Sequence, residues 1–200
     1  MILVIDNYDS FTYNLVQMIR VLTSEELLVL KNDNPQLKNP QALTPSALVI
    51  SPGPGRPESA GYTKDMIQSF SGRVPILGVC LGLQCIAEVF SGQVNPSPTI
   101  KHGVKDLVIH TGDALFSGLP HNFYAVRYHS LAVDVSKCVE LQVLASAPSD
   151  NTVMAVKHVK HPTYGLQFHP ESYGTDDGEV ILKNFLRLKE AFSGNRPITA

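Results

Sequence analysis

The chain has 200 residues, 44% of them hydrophobic and 17% charged, with a formal net charge of -2. That length suits one domain able to bury about 70% of its unfolded surface without disulfide or metal staples. A near-neutral charge without a polybasic run argues against nucleic-acid binding, and no apolar run approaches the roughly 18 residues of a membrane span. Three cysteines without CxxC spacing suggest neither a disulfide framework nor a zinc site, so no metal or cofactor is expected. The chain opens directly on a strand-like run without the features of a signal peptide, and a reduced, cytoplasmic protein is expected.

Residues 2–5 form the continuous apolar run of a buried strand. Asp9 and Ser10 can cap a helix carrying Phe11, Leu15, Met18, Ile19 and Leu22 on one face. Residues 27–30 and 47–50 read as the next strands. Ser51-Pro52-Gly53-Pro54-Gly55-Arg56-Pro57 is a loop. A helix over 63–70, a strand over 74–79 and a helix over 81–90 closed by Gly92 follow. This alternation predicts an α/β fold: an open, mostly parallel sheet with right-handed crossovers and helices on both faces.

From about residue 100 the pattern changes. Residues 104–109, 123–128, 139–145, 153–156 and 164–168 are strand-like with few helices between them, which predicts antiparallel additions in the second half. A last helix spans 178–188. Residues 1–192 are taken as one domain and 193–200, with Gly194 and Pro197, as a frayed tail.

Gly78-Val79-Cys80-Leu81-Gly82 lies where a strand ends and a helix begins, the spacing of a nucleophile elbow with cysteine in place of serine. The glycines leave room where the strained turn brings neighbouring elements close. The helix's N-terminus favours negative charge on the sulfur, and the amides after Cys80 can stabilise an oxyanion. Cys85 and Cys138 lack the glycine frame and read as small hydrophobes.

A thiolate needs a base, and the base an orienting group. His102, His110, His121, His158 and His161 lie in polar or turn-like surroundings and read as surface residues. His169 directly follows a strand, which brings it to the sheet edge where Cys80 lies, and Glu171 is placed to fix its tautomer. The elbow alone also fits a free-standing cysteine hydrolase, and a non-catalytic binding subunit would have lost one of Cys80, His169 or Glu171.

Leu77-Gly78-Val79-Cys80-Leu81-Gly82-Leu83-Gln84 together with Gln167-Phe168-His169-Pro170-Glu171-Ser172 resembles the class I glutamine amidotransferases, over nearly the whole chain. Asp6-Asn7-Tyr8-Asp9-Ser10-Phe11-Thr12-Tyr13-Asn14-Leu15 is similar to the component II subunits of anthranilate synthase and aminodeoxychorismate synthase. The resemblance implies a flavodoxin-like fold in which Cys80 attacks the side-chain amide of L-glutamine, His169 serves as acid and base, and Glu171 orients it. It implies an oxyanion hole from Gly53, Pro54, Gly55 and the amide of Leu81. Gln84, Ser130 and Leu131 then hold the substrate, and His129 supports the loop. The partner implied is a chorismate-using synthase, component I. Gly55 leans towards anthranilate; aminodeoxychorismate and a subunit serving both remain open.

Two departures stand out. Leu83 replaces the histidine usual in close relatives, and Tyr173-Gly174-Thr175 replaces the usual Ile-Leu-Thr after Ser172. The second segment is expected to face the synthase, with no bearing on glutaminase chemistry.

Overall fold

The computed structural model describes residues 1–194. In chain order the elements are β1 (Ile2–Asp6), α1 (Thr12–Leu22), β2 (Leu27–Lys31), β3 (Ala47–Ile50), α2 (Thr63–Phe70), β4 (Ile76–Val79) and α3 (Leu81–Val89). Then come β5 (Gln93–Pro96), β6 (Val104–His110), β7 (Asn122–Arg127), β8 (Leu131–Asp134), β9 (Leu141–Ala147), β10 (Thr152–His158), β11 (Thr163–Leu166) and α4 (Gly178–Gly194).

Nine strands form one sheet in the order β2-β1-β3-β4-β11-β10-β9-β6-β7. The first five run parallel, as the apolar runs and alternating helices predict for β1 to β4; β11, expected among the antiparallel additions, joins them instead because it pairs alongside β4. The remaining pairs are antiparallel. β11 returns from late in the chain to lie parallel beside β4, pairing Gly165 with Gly78 and Leu166 with Val79. The residues following β4 and those following β11 therefore emerge at one sheet edge.

Strand alternation sends Ile2 and Val4 to one face, with Leu15 and Ile19 of α1 and Ile181 and Phe185 of α4. Leu3 and Ile5 go to the other face, with Ile67 and Phe70 of α2 and Leu83 and Ile86 of α3. Helices thus cover both faces, and each fully buried aliphatic side chain contributes roughly 1.5–3 kcal/mol.

Several boundaries differ from the sequence reading. Phe11 lies outside α1 as its N-cap and is 37% exposed, because the first turn is held by Asp6, whose Oδ1 accepts from Thr12 Oγ1 at 2.9 Å. The left-handed residue after α3 is Ser91 at φ 66°, one position before Gly92. β5 and β8 form an unexpected two-stranded sheet; each is only four residues long, with no long apolar run to signal it. His110 and His158 are buried, each accepting backbone N–H bonds at Nδ1 from its own turn. α4 runs to Gly194, so Ser193 and Gly194 of the expected tail are helical; residues 195–200 lie outside the described residues. Among the described residues no helix is long and apolar enough to cross a membrane.

Candidate active site

Cys80 sits between β4 and α3 at φ 51° and ψ -101°, a strained conformation for a residue with a side chain. Packing on every side enforces it. A Cβ on Gly78 would lie 2.5 Å from the Gly82 carbonyl carbon, and one on Gly82 would lie 2.8 Å from the Ile50 carbonyl oxygen. The Cys80 amide donates to the Leu166 carbonyl at 2.7 Å, anchoring the turn to β11. Cys80 is 6% exposed. The amides of the first turn of α3 have no helical carbonyl to bond and lie beside it.

His169 follows β11, and its own amide donates to the Val126 carbonyl at 3.0 Å. Its Nδ1–H donates to Glu171 Oε1 at 2.6 Å. Nε2 makes no aligned hydrogen bond, although the Cys80 sulfur lies close enough to act on its protonation. Burial disfavours charge on the ring, but interactions with Cys80 and Glu171 outweigh it and lift the pKa to about 10. A histidine so poised holds a proton at neutral pH. Tyr128 packs edge-on against the ring at 5.2 Å and Phe11 at 6.3 Å, shielding it from water.

Gly53, Pro54, Gly55, Cys80, Gln84, Tyr128, His129, Ser130 and Leu131 line an open cleft of about 160 Å³. Six of the expected substrate-contacting residues thus surround the thiol. Leu81 is not on the cleft wall; it is buried at the head of α3. The Gly53 loop reaches this place because it has no side chain there: a Cβ on Gly53 would lie 2.5 Å from Asn7 Cβ and 2.9 Å from Leu81 Cδ2. Asn7 holds the loop, its amide donating to Ser51 Oγ and its Nδ2 to the Ser51 carbonyl, both at 2.9 Å. Asn32 and Thr63 in turn fix Asn7 Oδ1.

Leu83 is fully buried away from the cleft, against β11, where a Cβ on Gly165 would meet its Cδ1 at 2.6 Å. The segment 173–175 divides in two. Tyr173 is fully exposed, but Thr175 is buried and its hydroxyl donates to the His169 carbonyl at 2.6 Å while accepting from the Val126 amide. The expectation that this segment has no bearing on the reaction centre is corrected for Thr175, which braces the His169 backbone.

Sequence reasoning assigns no role to Gln167, Asn7 or Arg127. Gln167 is fully buried, donates from Nε2 to Cys80 Sγ at 3.6 Å, and accepts from Gln84 Nε2 at 3.5 Å. Arg127 is also fully buried, a charge directly after the apolar Ala125 and Val126 at the end of β7, and that mismatch is the signal that could have found it. Cys85 provides a contrast to Cys80: wholly enclosed, its thiol is pushed by burial up to about 12 and is inert. Cys138 is half-buried and donates to the Phe90 carbonyl. Among the described residues no His, Cys, Asp and Glu cluster could hold a metal ion.

An open α/β sheet with a strained thiol, a histidine–carboxylate pair and an open cleft at one edge is the architecture of enzymes that work through a cysteine. The family model for "Glutamine amidotransferase class-I" matches residues 3–188, and the chain belongs to that family. Component 2 of anthranilate synthase from Thermus thermophilus is 47% identical over 186 residues, covering 92% of this chain and 91% of the relative. The aminodeoxychorismate/anthranilate synthase component 2 of Bacillus subtilis is 44% identical, with 93% and 95% covered. The bifunctional protein TrpGD of Thermotoga maritima is 44% identical over 94% of this chain, which spans only 32% of that longer protein. A crystal structure from Thermoplasma acidophilum, provisionally assigned as one subunit of GMP synthase, superposes with a TM-score of 0.84 at 26% identity, covering 96% of this chain and 95% of that one.

Proposed function

We propose that the chain is the glutaminase subunit of a chorismate-using synthase, with anthranilate synthase as the favoured complex. The observation that carries this is the thiol of Cys80 on the floor of a cleft walled by the Gly53 loop, Gln84 and Tyr128–Leu131, beside the His169–Glu171 pair. The Cys80 sulfur attacks the side-chain carbonyl carbon of glutamine, forming a C–S bond. The amides of Leu81 and the Gly53 loop stabilise the oxyanion that develops. Collapse breaks the C–N bond, and His169 gives its proton to the leaving nitrogen, which departs as ammonia.

The sulfur is then an uncharged thioester. Acylation takes away the sulfur's part in raising His169, leaving Glu171 to hold the ring against burial as it turns from acid to base. His169 takes a proton from water, hydroxide attacks the thioester, and glutamate leaves as Cys80 recovers its charge. Glutamine and water thereby give glutamate and ammonia. Glu171 keeps the ring oriented throughout.

The dual name of the Bacillus subtilis relative favours a second reading, in which the same chain supplies aminodeoxychorismate synthase as well. Tyr173, fully exposed two residues after Glu171, together with the exposed Tyr8 and Tyr13, supports a synthase docking face. A cytoplasmic location is consistent with three free cysteines. Cys80→Ala should abolish glutamine-dependent synthesis by the complex while leaving synthesis from ammonium salts intact. Glutamine-driven product from this variant would refute the assignment.

A further inference from the structure

The wall of the cleft formed by residues 128–131 is held by a chain of charged and polar groups that takes no part in the thioester chemistry. Arg127 lies fully buried beneath it. Its NH1 donates to Asp106 Oδ2 at 2.6 Å and its NH2 to Asp150 Oδ2 at 2.8 Å. The third arm matters most: Nε donates to His129 Nε2 at 3.0 Å. An Arg Nε is only a donor, so His129 Nε2 must be the acceptor and its proton must sit on Nδ1. That N–H meets the Leu131 carbonyl at 2.9 Å, and the same carbonyl accepts from Gln84 Nε2 at 3.4 Å.

The groups acting on His129 are Arg127 from β7, Asp150 from the turn before β10, and His169 after β11. Asp106 is held off by its own partners Lys101, Arg127 and Ser149. Burial, then the Arg127 charge, drive the His129 pKa down to about 4, so the ring is neutral at physiological pH. A protonated ring would lose the acceptor for Arg127 and face a like charge at 3.0 Å.

We propose that Arg127 is a positioning residue for substrate binding: clamped by Asp106 and Asp150, it selects the neutral Nδ1–H form of His129, which in turn aims the Ser130–Leu131 wall and Gln84 at the amino-acid end of the substrate. The proposal rests on glutamine occupying the cleft. It differs from ordinary structural support because the consequence falls on binding and its pH dependence, leaving the chemistry at sulfur untouched.

Alkylation of Cys80 by 6-diazo-5-oxo-norleucine, a glutamine analogue, separates these effects as a half-saturating concentration and a limiting rate; iodoacetamide reads the thiol alone. Arg127→Lys keeps the charge and loses the fork. It should raise the half-saturating concentration about tenfold, the loss of one well-placed hydrogen bond, and change the limiting rate and iodoacetamide labelling less than about twofold. Arg127→Gln with Asp150→Asn removes the two charges together and leaves Asp106 paired with Lys101. In this variant the half-saturating concentration should climb as pH falls below about 6.5, the ordinary histidine range, where the parent stays flat. Nitrogen-15 spectra of labelled histidine should show a neutral Nδ1–H His129 in the parent and a changed tautomer balance in Arg127→Lys.

Folded variants with the parent's half-saturation and pH profile would overturn the proposal, as would a fall confined to the limiting rate. Should both variants fail to fold, His129→Asn, which retains a donor near Nδ1, must bind the analogue better than His129→Ala; equal weakening refutes the relay. If the parent reacts with iodoacetamide but shows no saturation by the analogue, the glutamine reading fails, and the nitrogen-15 tautomer then decides the role of Arg127 alone.

Discussion

The parallel and antiparallel halves of the sheet build the site by different physics. In the parallel half the thiol is held by sterics: β1, β3 and β4 are apolar and buried along their lengths except for Asp6, and the elbow works because Gly53, Gly78 and Gly82 admit close neighbours. In the antiparallel half the cleft wall is held by charge, through Arg127, Asp106, Asp150 and the neutral His129. Steric frames tolerate changes in pH, whereas a buried ionic clamp responds to them. The reaction centre and the binding wall should therefore be separable by mutation and by acid.

His169 sits at the junction of the two halves and its removal should have the largest effect. His169→Ala should slow labelling of Cys80 by a glutamine-analogue alkylating agent on the order of 10² to 10⁴-fold, the range ascribed to a general acid–base. Equal rates would show that another base serves the thiol and that the junction is not where chemistry is organised.

Acid comes next. Burial works against the Asp106 carboxylate, but Ser149, Lys101 and Arg127 hold its pKa down to about 2 against an ordinary 3.8. Because the folded value is depressed, this stabilisation is present above pH 3.8 and is lost as pH falls through about 2. His129 has the same sign: neutral when folded, with its pKa lowered from 6.5 to about 4, it withdraws stability as pH drops across that interval. His169 has the opposite sign, its contribution present below 6.5 and lost as pH rises through about 10. Amide hydrogen exchange in β6 and β7 should accelerate on acidification before that in β1 and β3. Asp106→Asn should remove an acid-dependent term on the order of 1 kcal/mol, reduced by partial solvent contact. Uniform acceleration across the sheet would erase the contrast between the halves.

The smallest effect on the subunit itself should come from Tyr173→Ser. The side chain is fully exposed, so stability should change by less than about 0.5 kcal/mol and Cys80 labelling should not change. Association with the synthase, measured by titration, should weaken. Unaltered affinity would remove Tyr173 from the proposed docking face.

Much of the parallel half is legible in the linear chain. Runs such as Leu48, Val49 and Ile50 announce buried strands by composition, and Gly78, Cys80 and Gly82 announce the elbow by spacing. The antiparallel half is less legible: β5 and β8, four residues each, are too short to show a period, and the buried charge of Arg127 has meaning only beside carboxylates 21 and 23 positions away. Thr175 shows the same limit, since its contact with the His169 carbonyl arises from a loop that folds back between β7 and the site.

The order of residues thus supplies the groups that can do chemistry: a glycine-framed thiol, a histidine after a strand, and a carboxylate two residues beyond. Those properties are local, set by backbone sterics and residue type over a few positions. Their meeting depends on packing between distant segments. β11, 87 positions after β4 when Gly165 is set against Gly78, pairs with it in parallel and delivers His169 to the thiol. The same packing encloses Arg127 between two carboxylates, where burial gives one guanidinium control over a histidine that stands in the linear chain merely as a neighbour.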